Sequence, residues 1–401
     1  MVNWLRETPP TAGLPLVWRD FISGAASLEH DIASFLGQPY AQIECSCTAA
    51  LVVVLTTLKR MSHRRSVIIP AYTCPLVPLA VARCGLKPVL CDTRKDHFDL
   101  RPESLNAVCG DDTLAIIPTH LGGRVADLSS ATEIAQRVGA YVVEDAAQAL
   151  GASWQGQPVG SLGDIGCYSL GVGKGLTIYG GGVVIARDAS VRQQLRATAA
   201  GIAPYQITWE ARRLLELAGY YALYRPSGLR LAFGLPLRRR LRKGKLIEAA
   251  GDDCSANFPL HQVGNWRKAI GAHALKRLPD YIVKITAQAM RRKSRLATIS
   301  GISVMDDAVG DSGTWPYFLV LMPTQQARDH ALSRLWPAGL GVGRLFIHAL
   351  PDYQYLASMF DQTDTPNARD FAARTLTISN SPWLSEDDFL HICVVLEQLL
   401  A

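Results

Sequence analysis

The sequence predicts an α/β protein, with a large domain built on a mostly parallel sheet flanked by helices and a smaller C-terminal α+β domain. Three observations lead there. From about residue 45, short β-branched runs alternate with stretches of helical period, the rhythm of strand–helix–strand units. The 401 residues are too many for one small core and enough for two domains. The rhythm breaks between about 196 and 260, and a strand signal returns only near the end. The chain therefore divides into 1–260 and 261–401, with a helical, basic insertion at about 196–260.

The elements follow in order. TAALVVVLTTLKRM, from Thr48, has the period of a helix. SVIIP, Ser66 to Pro70, reads as a buried strand, and CPLVPLAVARCG as a helix ended by Gly85. KPVLCD from Lys87, TLAIIPTH from Thr113 and AYVVEDAAQ from Ala140 read as further strands, with a helix at SSATEIAQRVG between the last two. In the second unit AIGAHALKRLPDYIVKITAQAMRRKSRLATI is helical, YFLVLM is a strand and SEDDFLHICVVLEQLL a closing helix. Sheets of this kind bind ligands at the carboxyl ends of their strands, where Asp92, His120 and Asp145 stand. Polar residues also end strands for no chemical reason.

Composition narrows the function. No apolar run approaches the roughly 18 residues that span a bilayer. MVNWLRETPP lacks the charged-then-apolar pattern of a leader, so the cytosol is the expected compartment. The nine cysteines are scattered without a CxxC pair, which reads as reduced thiols rather than a disulfide framework or a zinc site. Cys45 and Cys47, spaced as alternate strand residues, are expected to point the same way. Much of the net charge of +6 falls in PLRRRLRKGKL, Pro236 to Leu246, a local patch unlike the broad basic surface of a nucleic-acid binder.

One lysine stands out. In YSLGVGKGLTIYGGGVV, Tyr168 to Val184, Lys174 is the lone charge among glycines and apolar residues. Asp145 ends the strand before it, with Gln148 a helical turn on. Ser46-Cys47-Thr48-Ala49 opens a helix, whose free N–H groups and positive dipole end suit a phosphate. A reactive amine, a carboxylate and a phosphate cradle are the parts pyridoxal phosphate requires.

These segments resemble the DegT-type (DegT/StrS) nucleotide-sugar aminotransferases, of the PLP-dependent transferase fold type I. SCTAAL, Ser46 to Leu51, is similar to that family's nGTaAL segment. VIIPAYTCPLVPLAVARCGLKPVLCD, Val67 to Asp92, is similar to its next strand–helix–strand unit. The nearly ungapped run from Ile117 to Lys174 is similar to its most specific block, and the likeness resumes weakly at GNWRKAIGAHALKRL. The resemblance implies Lys174 as the Schiff-base lysine and proton carrier, Asp145 at the pyridinium nitrogen and Gln148 near the ring hydroxyl. It implies Ser169, Thr48 and Ala49 at the phosphate. Asn265, in GNWR, would reach the phosphate of the neighbouring subunit, which implies a homodimer with shared sites; a helix cap is the other reading of Asn265. The implied reaction moves an amino group, from glutamate, to a nucleotide-linked keto-sugar in surface-polysaccharide or secondary-metabolite biosynthesis.

Departures from the family pattern keep other readings open. Cys47 replaces a glycine, and Gly180 an acid. Cys74 stands where the family stacks an aromatic residue on the cofactor, which leaves Tyr72 as the candidate for that role. A PLP-dependent sugar dehydratase is one alternative, although such relatives carry histidine in place of the lysine. A degenerate member that binds without turnover is the other. Arg238, Arg239, Arg240, Arg242, Lys243 and Lys245 read as a solvated helix face or dimer contact, or as a platform for a nucleotide diphosphate or anionic lipid heads in weak peripheral membrane contact.

Overall fold

The computed structural model describes residues 6–22, 27–360 and 364–400; Met1 to Leu5, the first half of MVNWLRETPP, lie outside the described residues. The central sheet has seven strands: β1 (Gln42–Glu44), β2 (Ser66–Pro70), β3 (Lys87–Cys91), β4 (Thr113–Ile116) and β5 (Tyr141–Asp145), then, after a small hairpin β6 (Ser153–Trp154) and β7 (Gln157–Pro158), β8 (Ile165–Ser169) and β9 (Gly182–Ala186). Their order is β1-β9-β8-β5-β4-β2-β3. β3, β2, β4, β5 and β8 run parallel, and β9 and β1 close one edge antiparallel. Val67, Ile68, Ile69, Leu114, Ala115, Ile116, Val142 and Val143 are all buried, as strands covered on both faces must be.

The covering helices are α1 (Leu28–Phe35), α2 (Cys47–Met61), α3 (Leu76–Arg83), α4 (Pro102–Val108), α5 (Ser129–Val138) and α6 (Ala189–Ile202). The strand expected to carry both Cys45 and Cys47 stops at Glu44. Ser46 is extended (φ −161°, ψ 164°) and its Oγ accepts the Ala49 N–H at 3.0 Å, so the segment turns into α2 at Cys47. The two thiols therefore part: Cys45 donates to the Pro259 carbonyl at 3.4 Å, whereas Cys47 heads the helix.

The region that breaks the rhythm is helical throughout: α7 (Ile207–Leu223), α8 (Pro226–Leu229), a π-helical turn (Arg230–Gly234), α9 (Leu235–Arg242) and α10 (Leu246–Ala250). The long helical stretch after it is two helices, α11 (Asn265–Leu275) and α12 (Leu278–Leu296), parted just before Pro279, which sits in the first turn of α12. The C-terminal unit adds β10 (Ser303–Val304), β11 (Asp311–Ser312), β12 (Tyr317–Leu321), α13 (Gln325–Leu335), β13 (Val342–Gly343), α14 (Pro366–Arg374), β14 (Thr375–Ser379) and α15 (Glu386–Leu400). Its antiparallel sheet runs β10-β12-β14-β13, while β11 pairs with β6 of the large unit.

Packing interleaves the units. Ile270, Ala272 and Leu275 of α11 share a core with Val183 and Ile185 of β9. Leu237 and Ala249 of the insertion share a separate core with Phe318, Ile378 and Phe389. Asp92, one of the strand-end acids, accepts the N–H groups of Ala368 at 2.9 Å and Asn367 at 3.3 Å, and so caps α14 across the two units.

Candidate active site

Lys174 rides on the loop that leaves β8 at Ser169 and returns as β9 at Gly182. The loop folds on itself, with the Ile178 N–H donating to Leu170 O at 3.1 Å and the Lys174 N–H to Gly171 O at 3.3 Å. The N-terminal segment straps its outside: Thr11 Oγ1 donates to Gly173 O at 2.6 Å and Leu14 N–H to Gly175 O at 3.1 Å. Arg267 of α11 holds its far end, donating from Nη1 to Ile178 O at 3.2 Å and Gly180 O at 2.6 Å. Between those carbonyls Tyr179 and Gly180 have φ of 54° and 106°, a turn that disfavours the acidic residue of the family pattern at 180.

Arg267 is itself buried, and its charge is met by a bidentate pair, Nε and Nη2 to the two carboxylate oxygens of Glu210, each at 2.8 Å. Burial would raise the Glu210 pKa, but the Arg267 hydrogen bonds and charge hold it below the usual value. Sequence reasoning gave neither residue a role. Arg267 was visible in GNWR; Glu210 lies 57 residues away, in the stretch with least pattern.

The structure brings Lys174 together with Asp145, Cys47 and Cys74. Burial pushes the Lys174 pKa below the usual lysine value, while the Asp145 charge acts in the opposite direction. Burial raises the Asp145 pKa; the Ala147 N–H, accepted by Oδ1 at 3.1 Å, and the charges of Lys174 and His120 oppose it. Burial drives the Cys47 thiol far up and the Cys74 thiol to about 12, so both are neutral. An amine biased toward its neutral form beside a buried acid is the arrangement a carbonyl-bonding lysine needs.

The other predicted residues divide. Thr48 follows Cys47 in the first turn of α2, but the Ala49 N–H is already taken by Ser46, which leaves the Cys47 and Thr48 N–H groups for an anion. β9 crosses directly beneath this helix head: a Cβ on Gly182 would lie 2.3 Å from Ser46 O. Ser169 ends β8 and shares a narrow cavity with Gln148, Ala147 and Gly175. The Gln148 side-chain oxygen accepts from the Gly122 N–H at 2.9 Å and from the Tyr317 hydroxyl, so its amide nitrogen is the group it offers a ligand. Tyr72 is corrected: its ring is buried edge-on between Phe346 and Phe371, and Cys74, not Tyr72, lies beside Lys174. Asn265 is exposed at the first position of α11, with Gly264 as the cap residue. His120 is fully buried; Nδ1 accepts the Ala126 N–H at 2.9 Å and Nε2 faces Glu144 at 3.1 Å, a structural link.

Comparison with known proteins bears on this geometry. The profile of the DegT/DnrJ/EryC1/StrS aminotransferase family matches residues 20–216 and 256–397, a wider span than the sequence motifs suggested. Over 369 residues the chain is 26% identical to the spore coat polysaccharide biosynthesis protein SpsC of Bacillus subtilis, covering 90% of this chain and 85% of that one. It is 37% identical over 171 residues to a UDP-N-acetyl-3-dehydro-alpha-D-glucosamine 3-aminotransferase of Acidithiobacillus ferrooxidans, covering 42% and 46%. Among solved structures, DesI in the presence of its TDP-sugar product superposes with a TM-score of 0.75 at 20% identity, over 98% of this chain and 93% of that one. The PMP form of the sugar aminotransferase Spr1654 from Streptococcus pneumoniae gives 0.76 at 19% identity, over 98% and 99%. These likenesses establish the fold as that of the PLP-dependent sugar aminotransferases.

Two outcomes follow from the geometry. Replacing Arg267 by Met strands the Glu210 carboxylate and should lower stability by about 3–5 kcal/mol in urea unfolding, with the Arg267→Met/Glu210→Leu double variant recovering part of it. Because the Asp145 charge pulls the Lys174 pKa upward against burial, Asp145→Asn should move it further down. The pH profile of Lys174 acetylation in cofactor-free protein, read by mass spectrometry, should shift to lower pH; an unchanged or higher midpoint would refute the coupling.

Proposed function

The chain belongs to the DegT/DnrJ/EryC1/StrS aminotransferase family, and from that premise we propose that it transfers an amino group from an amino-acid donor, glutamate by resemblance, to a nucleotide-linked keto-sugar, with pyridoxal phosphate as cofactor. The observation that supports this most is the desolvated Lys174 amine set beside Asp145. Lysine at this position favours amine transfer over the dehydratase reading, which has histidine there. Neither thiol at Cys47 or Cys74 carries a charge that would hold Lys174 permanently protonated, which argues against the degenerate reading.

Pyridoxal phosphate, when bound, supplies an aldehyde for an amine and a ring that accepts electrons from the carbon losing its proton. Lys174 would hold that aldehyde between turnovers and, once released, take and return the proton as general base and acid. Its lowered pKa serves the second task, since an amine accepts a proton only when neutral. Asp145, whose charged form is favoured by the Ala147 N–H and by Lys174, would keep the ring nitrogen protonated. The Cys47 and Thr48 N–H groups and the Ser169 hydroxyl would hold the phosphate, Gln148 would meet the ring hydroxyl, and Cys74 would lie against the ring. Asn265 would reach the phosphate of the neighbouring subunit in a homodimer with shared sites.

Among the described residues no helix is long and apolar enough to cross a membrane. We place the enzyme in the cytoplasm, with weak peripheral contact to anionic membrane through the insertion. Arg239, Arg240, Arg242, Lys243 and Lys245 are exposed there, next to Leu231 and Leu235, 65% and 47% exposed. Arg238 leaves this set, because its side chain turns inward to Glu7 at 2.7 Å.

Lys174→Ala should abolish the visible absorbance of the purified enzyme and slow the half-reaction with glutamate by at least about 10³-fold; a variant that keeps both would refute the assignment. Wild-type enzyme should co-sediment with anionic but not neutral vesicles at low salt, and 0.5 M salt should release it, about 1 kcal/mol per basic residue being screened. Equal binding to both vesicle types, or to neither, would remove the membrane contact.

A further inference from the structure

A cavity of about 730 Å³ separates the insertion from the C-terminal unit. Its walls carry Arg230, Arg238 and Arg242 from one side and Arg344, Asp329 and Trp336 from the other. Four guanidinium groups thus face one carboxylate. Arg238 and Arg230 share Glu7, at 2.7 Å and 4.0 Å. Gly234 makes that meeting possible, since a Cβ there would lie 2.0 Å from the Glu7 carboxylate.

Arg344 lacks such a direct pair; the charges of Asp329 and Asp252 act on it only from farther off. Its Nη2 donates to Ile347 O and, at 2.8 Å, to Ala372 O, while its Nε is buried without an acceptor and no carboxylate among the described residues pairs with it. Behind it Arg328 is 2% exposed; Asp329 lies 2.8 Å from its Nε, and its Nη1 is buried without an acceptor. Burial and the like charge of Arg328 lower the Arg344 pKa to about 10. Two adjacent guanidinium groups with unmet donors are costly in a folded protein unless an anion completes them. The fork geometry of arginine suits the oxygens of a phosphate.

The apolar part of the wall narrows the ligand further. Trp336, Leu241, Leu246 and Leu332 give the anion's neighbour an apolar surface. The cleft shares wall residues with a neighbouring cavity, and that one in turn with a cavity on the outer face of the lysine loop. Trp336 and Arg344 line a second cavity, of about 200 Å³, together with Pro10, Thr11 and Phe233. Pro10, Thr11 and Phe233 line a third, of about 580 Å³, together with Lys174 and Tyr179. Phe233, Leu237 and Ala249, which cover this line of cavities, belong to residues 217–255, the stretch the family profile leaves unmatched.

We propose that the Arg344 cleft binds the diphosphate of a nucleoside diphosphate, with the base against Trp336. This rests on the sugar-nucleotide reading above and assigns the insertion its role in it. The ligand is either the nucleotide end of the substrate or free nucleoside diphosphate, and the two share this chemistry.

Calorimetric titration of the cofactor-loaded enzyme with UDP, dTDP, GDP, CDP and inorganic pyrophosphate tests it. At least one nucleotide should bind, more tightly than pyrophosphate, and Arg344→Met should weaken it by about tenfold or more. Arg242→Gln, a change at an exposed position, should weaken it about threefold without risk to the fold. Absence of binding by every nucleotide, or wild-type affinity in both variants, would overturn the proposal. Competitive inhibition against the sugar nucleotide identifies the substrate's own diphosphate in the cleft; noncompetitive inhibition identifies free nucleotide. Nucleotide binding by a protein with no visible cofactor absorbance would sink the aminotransferase reading and leave the cleft standing.

Discussion

The guanidinium of Arg267 lies buried where three parts of the chain meet. It faces a carboxylate from α7 and two carbonyls from the loop that carries Lys174, and it is itself carried by α11. A buried charge of this kind persists only if nearly every donor is met, and the loop can adopt its left-handed turn at Tyr179 and Gly180 only if something holds the carbonyls on either side. One ion pair answers both conditions. The position of the Lys174 amine thus depends on Arg267 and on an insertion helix that supplies Glu210.

The same economy of charge governs the site. Desolvation lowers the proton affinity of Lys174 and raises that of Asp145, and their mutual attraction limits both shifts. The two cysteines that replace family residues sit in this field as neutral thiols. Substitution of glycine by Cys47 is tolerated because Ser46 already turns the backbone into α2 from an extended conformation, so no left-handed residue is needed there.

Much of this was legible in the sequence, for stated reasons. The parallel sheet shows in SVIIP, KPVLCD and AYVVED, because strands buried on both faces must be apolar throughout. Lys174 and Asp145 stood out as candidates because an amine and a carboxylate at that spacing suit one chemistry, and Ser169 and Gln148 because the family resemblance implies roles for them. Cys45 and Cys47 misled, since a two-residue spacing fits a strand until a serine between them caps a helix. Tyr72 misled because an aromatic residue near a cofactor segment is as well suited to the core, where Phe346 and Phe371 take it. Glu210 and Arg344 were out of reach: each is one charged residue in a segment without pattern, and only tertiary packing reveals what it faces or lacks.

The most direct test of the account is chemical. Borohydride reduction of the purified enzyme, followed by proteolysis and mass spectrometry, reads which side chain holds the cofactor. The account predicts a single pyridoxyl phosphate adduct on Lys174. An adduct on any other lysine, or none in a protein that carries the cofactor, would contradict it.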